Sequence, residues 1–494
     1  MAGPGYSSLE RAVLHRLAET TGKAVDLAYA GIVHQLGITK RFFEEGGFGD
    51  LRVVDFHNEL KAFQSWPPPH FEDAKLDWRR VREGNYGSHS YSVFRAAFPT
   101  LARGTAYDAM PVESRTAHVL WIAPHQVAPG APTVIHLAAT GDHGFARREH
   151  LAIPLVARGV GSLALESPFY GVRKPAAQMG AKLRRVSDLL LLGKATIEES
   201  LFLLLWLSRR GHLRLGMSGL SMGGVHASMV AALYPEAVAL SPLLAPRSAA
   251  QSYCHGALFH ATAWDRLVED TEGRQAEIVE VVRRAAVAKE RMAAAKVRKE
   301  ALLVATAQEE GASGNGANGN AVSSLSHVPL VVGNEKDKGQ GIEQQPLSSS
   351  SSTSSKATAA SEQQQQQWHW AGVAKWMEQW GSALQGQLKK VERMEKENVK
   401  GGDKQDRHAA AVLMLEAVLE TFTDATRFPC PRRPDAAVLV AATEDAYVSP
   451  QSVVDLHRHL PGSEVRWIPG GHVSSFLLHQ PAFRSAIVDS LDKL

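Results

Sequence analysis

Cysteine is scarce in this chain, and long hydrophobic runs are missing. Only Cys254 and Cys430 occur among 494 residues. They are too few for a secreted disulfide scaffold and too scattered for a metal cluster, so we expect two reduced, structural thiols. The strongest apolar run, Leu201–Leu207, is far shorter than the roughly 20 residues that a membrane-spanning helix needs. No transmembrane segment is therefore predicted.

An excess of one charge sign is missing as well. Lysine plus arginine number 54 and aspartate plus glutamate number 51, so the net charge is +3. So balanced a charge does not indicate a nucleic-acid partner. The N-terminal sequence also lacks the compact apolar core and cleavage site of a secretory signal, which predicts an intracellular protein. Basic residues scattered through the first 41 positions leave a mitochondrial location open beside a cytoplasmic one.

The most informative pattern that is present is Gly219-Leu220-Ser221-Met222-Gly223. A short apolar run, 213–219, leads into it, and small apolar residues, 222–234, follow it. Strand, sharp turn and helix form the context of a nucleophile elbow, in which glycines let the backbone lift a serine hydroxyl out of a sheet. Ser221 is therefore the predicted nucleophile, with a purely structural turn as the alternative.

Apolar strands alternate with helical stretches on both sides of this turn. The predicted strands are 117–123, 133–138, 161–166, 213–219, 237–240, 435–442 and 464–468, the last at the sheet edge. The predicted helices are 148–158, 187–209, 222–234 and 483–494. This alternation is typical of the α/β class with a mostly parallel, doubly wound sheet covered by helices on both faces.

A long insertion interrupts the alternation. Residues 264–305 are charged, alanine-rich and helical in pattern, whereas residues 309–367 are of low complexity and are predicted to be disordered. Trp376 and Trp380 then share one helix face, which predicts packing on the main body or a lid at a membrane or substrate. The predicted organisation is a helical and mixed N-terminal extension, a core in two parts and the insertion: 1–104 (helical over 1–45), 105–263, 405–494 and 264–404.

A serine hydroxyl needs a base to take its proton and an acid to orient that base. Doubly wound hydrolases supply these in the order serine, acid, histidine. Asp445 follows the predicted strand 435–442 and His472 follows 464–468, at the carboxyl ends where open α/β sheets place their sites. Glu444 is the alternative acid, and a helix N-cap is the alternative role for this acid. The competing histidines lie on helical stretches: His457, His459 and His479.

Ester cleavage by a serine also needs two backbone N–H groups for the developing oxyanion. Met222 is predicted to supply one, and Thr140 or Gly141, after an earlier strand, the other. A plain glycine turn is the alternative for that loop. Asp142 and His143 next to it have no third ligand nearby, so neither a metal nor another cofactor is predicted.

Four cationic residues follow the predicted strands on this side of the sheet. As charged donors they are candidates for contacting an anionic head group, and a solvated charged surface is the alternative. They are Arg147, Arg148, Arg173 and Lys174.

Several separate motifs together resemble the alpha/beta-hydrolase domain-containing protein eighteen family. In chain order they are Met110–Ser114, His136–His143, Glu166–Pro175, Gly219–Gly224, Glu444–Val448 and Gly470–Ser474, within about 105–265 and 408–492. The resemblance implies an α/β-hydrolase fold and a triad of Ser221, Asp445 and His472. It also implies mitochondrial phospholipid deacylation, with cardiolipin as the suggested substrate. The long insertion and the N-terminal leader depart from the family pattern.

The main hypothesis is a cofactor-independent serine hydrolase that cleaves a carboxylic ester. Its expected partners are a small-molecule or lipid ester substrate and, through the tryptophan-bearing helix, a peripheral membrane contact. A peptidase or thioesterase would use the same residues. A catalytically silent hydrolase fold that acts as a scaffold is the alternative from a different class.

Overall fold

The computed structural model describes residues 22–28, 31, 40–54, 66–125, 130–285, 389 and 403–494. Within these residues one sheet contains nine strands: β1 (Arg79–Tyr86), β2 (His89–Pro99), β3 (Thr116–Pro124), β4 (Thr133–Leu137), β5 (Gly161–Leu165), β6 (Leu215–Leu220), β7 (Ala239–Leu243), β8 (Val438–Ala442) and β9 (Glu464–Ile468). Their spatial order is β1-β2-β3-β5-β4-β6-β7-β8-β9. The pairings from β1 through β3 to β5 are antiparallel, and those from β5 through β4 to β9 are parallel. The predicted mostly parallel sheet is thereby confirmed, with its last strand at the edge.

Helices cover both faces of this sheet. They are α1 (Gly104–Ala109), α2 (Ala146–Ala152), α3 (Val186–Ser208), α4 (Met222–Leu233), α5 (Lys404–Thr423), α6 (Pro450–His459), α7 (His472–Leu478) and α8 (Gln480–Asp492). Successive side chains of a strand point to opposite faces, and in β8 Leu439 joins the core shared with α3 and α4, whereas Val438 and Val440 join the core shared with α8. Burial on both faces explains why the central strands read as continuous apolar runs.

The structure contains a hairpin, β1 and β2, that sequence analysis did not resolve within its mixed region. β1 carries three arginines, Arg79, Arg80 and Arg82, and nearly all of its residues are exposed, so it lacks a hydrophobic face. Charged residues suit a strand at the sheet edge, because they discourage pairing with another chain. The sheet thus begins before residue 105, where the predicted core starts.

The long helix α5 was also not predicted. Its buried positions include Ala411, Leu415, Val418 and Phe422, the spacing of three and four residues that marks an amphipathic helix. Asp403 caps its first turn by accepting the N–H groups of two following residues. The amphipathic pattern is therefore present in the sequence, but it directly follows the predicted insertion, 264–404.

Two further predictions, the helical regions 1–45 and 264–305, can be compared with the structure over part of their length. Residues 22–28 are helical, as predicted for the region 1–45, whereas residues 40–42 are not helical and residues 43–48 form turns. Residues 264–285 are helical as predicted, and Leu267, Ile278 and Val282 pack into the main core. The predictions for residues 1–21, 286–388 and 390–402, including the low-complexity stretch, Trp376 and Trp380, lie outside the described residues. In the part of the chain that the structure describes, no helix is long and apolar enough to cross a membrane.

Candidate active site

Ser221 lies between β6 and α4 in a backbone conformation that residues other than glycine rarely adopt. Its φ is 54° and its ψ is −117°, and strain of this kind is typical of functional turns. Glycine is required at both neighbouring positions, because a side chain there would overlap other backbone atoms. A Cβ on Gly219 would overlap the carbonyl group of Gly223, and a Cβ on Gly223 would lie 2.5 Å from the carbonyl oxygen of Leu137 in β4. The G-x-S-x-G pattern therefore reflects close packing of the first turn of α4 against the sheet.

Asp445 and His472 meet at the carboxyl ends of β8 and β9. His472 Nδ1 lies 2.6 Å from Asp445 Oδ2. The other oxygen, Asp445 Oδ1, accepts the N–H groups of Tyr447 at 2.8 Å and Val448 at 2.9 Å. The Asp445 side chain is only 3 % exposed. The structure therefore pairs Asp445, and not Glu444, with the histidine.

The N-cap role considered for this acid belongs to another residue. Ser449 caps α6, since its hydroxyl accepts the N–H of Ser452. The competing histidines lie away from this pair: His457 and His459 are on α6, and His479 ends α7.

The surroundings of His472 favour its charged form. Burial by itself lowers the pKa of the imidazole, but the charge and hydrogen bond of Asp445, with the charge of Asp26, more than offset burial and raise the pKa. The ring of Tyr447 packs beside the imidazole, with centroids 5.0 Å apart. A buried carboxylate on Nδ1 stabilises the imidazolium that forms when Nε2 takes a proton.

Ser221 and His472 line one cavity of about 390 Å³. Its walls are largely apolar, and the apolar lining residues include Phe42, Leu189, Leu220, Val225, Leu258 and Phe476. A concave, mostly apolar pocket with a few polar groups is typical of a small-molecule site.

The predicted oxyanion donors also line this cavity: Met222, Thr140 and Gly141. Met222 is the first residue of α4, where backbone N–H groups have no intrahelical acceptor. Burial raises the pKa of the Tyr170 hydroxyl, and a backbone hydrogen bond from Gly141 opposes this rise in part. Because the Gly141 N–H is directed at that hydroxyl, Thr140 is the better candidate for the second donor.

Two of the four predicted head-group contacts are corrected by the structure. Arg173 is 0 % exposed and pairs with Glu199, with Nη2 2.7 Å from Oε1. Arg148 is buried and pairs with Asp142 at 3.1 Å while donating to backbone carbonyls. Both guanidinium groups therefore form buried contacts that stabilise the protein interior, and they do not face a head group. The other two differ: Arg147 is exposed and lines the cavity, whereas Lys174 Nζ donates to the Gln178 carbonyl at 2.8 Å.

Several motif residues hold the loops beneath the cavity. The Ser114 hydroxyl donates to the Arg173 carbonyl at 2.7 Å and accepts the Phe169 N–H at 3.0 Å, which joins two of the family-like motifs. His143, considered above as a metal ligand, accepts the Gly171 N–H on Nδ1 at 2.9 Å. The His143 contact fixes the loop that carries Thr140 against the segment after β5.

Three residues near the site were not predicted. Lys182 lines the cavity, and burial lowers its pKa to about 8. His226 of α4 lines it as well, and burial lowers its pKa to about 4, so this imidazole is neutral at pH 7. Asp26 accepts backbone N–H groups from both loops of the Asp445–His472 pair. No local pattern marks these residues, because their roles arise from contacts between distant segments.

Similar solved structures include proteins of several activities. An acetyl xylan esterase from Paenibacillus sp. R4 is 11 % identical, with 89 % of this chain and 97 % of that chain covered and a TM-score of 0.36. A thioesterase domain from the curacin biosynthetic pathway is 11 % identical, with 84 % and 99 % covered and a TM-score of 0.31. A proline iminopeptidase from Mycobacterium smegmatis is 13 % identical, with 83 % and 97 % covered and a TM-score of 0.32.

A family model gives a match over most of the chain. The model is described as alpha/beta hydrolase domain containing 18, and it matches residues 40–493. That range includes all nine strands of the sheet, the elbow at Ser221 and both loops of the Asp445–His472 pair. This chain therefore belongs to the alpha/beta hydrolase domain containing 18 family.

Proposed function

We propose that this protein is a serine hydrolase that cleaves a carboxylic ester, with Ser221 as nucleophile, His472 as general base and Asp445 as the acid that orients it. The observation that carries the proposal is the 2.6 Å contact between His472 Nδ1 and Asp445 Oδ2, with His472 lining the same apolar cavity as Ser221. A strained elbow serine, a buried acid–base pair and a shared pocket are the features expected of an acyl-transfer site.

In this proposal Ser221 Oγ attacks the ester carbonyl carbon while His472 Nε2 takes its proton. The N–H groups of Met222 and Thr140 stabilise the oxyanion of the tetrahedral intermediate. His472 then gives the proton to the alcohol oxygen, which leaves, and an acyl group stays on Ser221. Water releases the acid by the same steps, with His472 again taking and returning the proton, so no cofactor is needed.

The proposed substrate is an acyl lipid. The apolar walls of the cavity suit an acyl chain, and two cations on its lining, Arg147 and Lys182, suit an anionic head group. The family resemblance adds phospholipid deacylation, with a cardiolipin-type lipid as the substrate and the mitochondrion as the location. Lipid profiling of cells with and without the gene tests the substrate, and unchanged acyl lipids would remove it from the proposal. Fractionation of the same cells tests the location.

Labelling by a fluorophosphonate probe tests the nucleophile and the acid. The folded protein should be labelled, and Ser221→Ala should abolish labelling. Asp445→Asn should slow it by about 10³- to 10⁴-fold, because the asparagine presents the wrong hydrogen-bonding pattern to the imidazole. Glu444→Gln is the matched control and should leave the rate unchanged. Absence of labelling in the wild-type protein would instead favour the silent scaffold.

The reaction class is tested with purified protein that has not been exposed to the probe. p-Nitrophenyl esters of increasing chain length should be cleaved, with kcat/KM rising from acetyl to medium-chain acyl groups as the apolar cavity is filled. Cleavage of acyl thioesters or peptides in the absence of ester cleavage would replace the proposed esterase by a thioesterase or peptidase.

A further inference from the structure

Asp26 connects the two loops that carry the acid and the base. Its Oδ2 accepts the backbone N–H of His472 at 2.6 Å and that of Ala446, next to Asp445, at 3.1 Å. Its Oδ1 accepts the N–H of Val473 at 2.9 Å. The residue is 0 % exposed, so a single buried carboxylate satisfies three backbone donors, one in the loop after β8 and two in the first turn of α7. Hydrogen bonds to a charged acceptor are stronger than those between neutral groups.

The helical segment 22–28 that carries Asp26 lies directly on the loop before His472. A Cβ on Gly22 would lie 2.7 Å from the carbonyl carbon of Gly470, and a Cβ on Gly471 would lie 2.5 Å from Asp26 Oδ2. Two backbones can approach this closely only where both residues are glycine. Glycine at position 471, directly before His472, thus admits the segment that carries Asp26.

We propose that Asp26 is a positioning residue for the acid–base pair, and that segment 22–28 is part of the working active site. This inference rests on the proposed serine-hydrolase function and concerns a residue outside the family match, which begins at residue 40. In the described part of the chain, the hydrogen bonds of Asp26 are to backbone groups beside Asp445 and at His472, so we infer that it acts through these two residues and not on the substrate.

Two effects of Asp26 can be separated by experiment. Its hydrogen bonds fix where His472 stands relative to Ser221, and small displacements of a catalytic group lower rates strongly. Its negative charge acts on His472 together with that of Asp445, and both raise the pKa of the imidazole against the opposing effect of burial. Among the described residues, the charges that raise the pKa of His472 are thus the Asp445 carboxylate, from the loop after β8, and the Asp26 carboxylate, from segment 22–28.

The test compares Asp26→Asn with wild type in the full-length chain. Asparagine keeps the size but presents an amide NH₂ where one carboxylate oxygen accepted backbone N–H groups. The rate of fluorophosphonate labelling at pH 8 should fall about 10- to 100-fold. The acid limb of its pH profile should move to lower pH, because the lost charge no longer raises the pKa of His472. Backbone hydrogen exchange of peptides covering 444–448 and 470–478 should become faster.

Asp270→Asn is the matched control. Asp270 is also a buried carboxylate that accepts a backbone N–H, from Phe48 at 2.9 Å, but its ion pairs are with Arg266 and Arg274. It should lower the melting temperature without moving the pH profile. Wild-type labelling rate and pH profile in Asp26→Asn, or the same changes in both variants, would overturn the inference. If the wild-type protein is not labelled, the serine-hydrolase proposal fails, and hydrogen exchange alone then decides whether Asp26 holds the two loops.

Discussion

The turn at Ser221 could be predicted from its neighbours in sequence, whereas the burial of the charged residues around it could not. The elbow is a local structure, because the close approach of Gly219 to Gly223 occurs within five residues. Its prediction therefore needed only the glycine spacing and the flanking apolar runs. Burial of an arginine depends on which distant elements pack over it. Arg173, predicted at the surface of the site, is instead held in the interior by Glu199 of α3.

Lys182 is the residue for which we predict a role in head-group binding. Burial lowers its pKa to about 8, so the ammonium is charged below that pH and loses its charge as the pH rises through it. Lys182→Met should raise KM for a short-chain phosphatidylglycerol about tenfold and change KM for the matching phosphatidylcholine much less. In the wild-type protein the preference for the anionic lipid should decline between pH 7 and 9.

Lys174→Met is the control for this prediction, since its ammonium donates to the Gln178 carbonyl. It should leave both KM values unchanged. Equal changes for the two lipids in Lys182→Met would show that this lysine supports the cavity wall and does not read the head group.

The element that links the site to the rest of the core is α3. The carboxylate of Glu199 on this helix accepts hydrogen bonds from both Nη atoms of Arg173, each at 2.7 Å, and from the Thr100 hydroxyl at 2.8 Å. Arg173 in turn donates to the carbonyls of Glu166 and Ser114, at 2.7 and 2.8 Å. The helix therefore anchors two of the motifs that carry the family resemblance.

Glu199→Gln should destabilise the protein strongly, because it leaves the buried charge of Arg173 without its partner. Loss of one member of a buried pair lowers the free energy of unfolding by about 3 kcal/mol or more. Denaturant unfolding measures this change. Glu72→Gln, which breaks the exposed pair of Glu72 with Arg209, is the control and should have a much smaller effect. Similar losses in both variants would contradict a special role for the buried pair.

Strands and helices could be predicted from sequence where the burial of their side chains follows a regular pattern. β4, β5, β7 and β8 are buried along their whole length and appear in sequence as apolar runs. β1 was missed because it is an exposed edge strand whose partner, β2, supplies its hydrogen bonds. Pairing of this kind depends on a neighbour and leaves little trace in the strand's own residues.

At the scale of the whole molecule, sheet order brings together residues that are far apart in sequence. β6, β7, β8 and β9 are consecutive and parallel, so the turns after β6, β8 and β9 meet at one end of the sheet. Residues 264–404 separate the two halves of this arrangement in sequence. A long insertion between adjacent strands is tolerated because the entropy of closing a loop grows only logarithmically with its length.

Deletion of residues 309–367, replaced by a short glycine–serine linker, should therefore leave the site intact. Halving a loop changes its closure free energy by only about 0.6 kcal/mol. We expect the rate of fluorophosphonate labelling and the melting temperature to stay near those of the full-length chain. A deletion variant that melts normally but is no longer labelled would show that this stretch contributes to the site.

Sequence alone determined the α/β class, seven of the nine described strands (β3 to β9), the elbow at Ser221 and the candidates Asp445 and His472. These depend on short-range patterns: apolar runs, glycine spacing and the position of polar residues directly after strands. Only the tertiary structure paired His472 with Asp445 instead of Glu444, buried Arg148 and Arg173, and brought Lys182 and Asp26 to the site. Those outcomes depend on contacts between distant segments, such as Asp26 and Val473, which are 447 residues apart, and no local pattern records them.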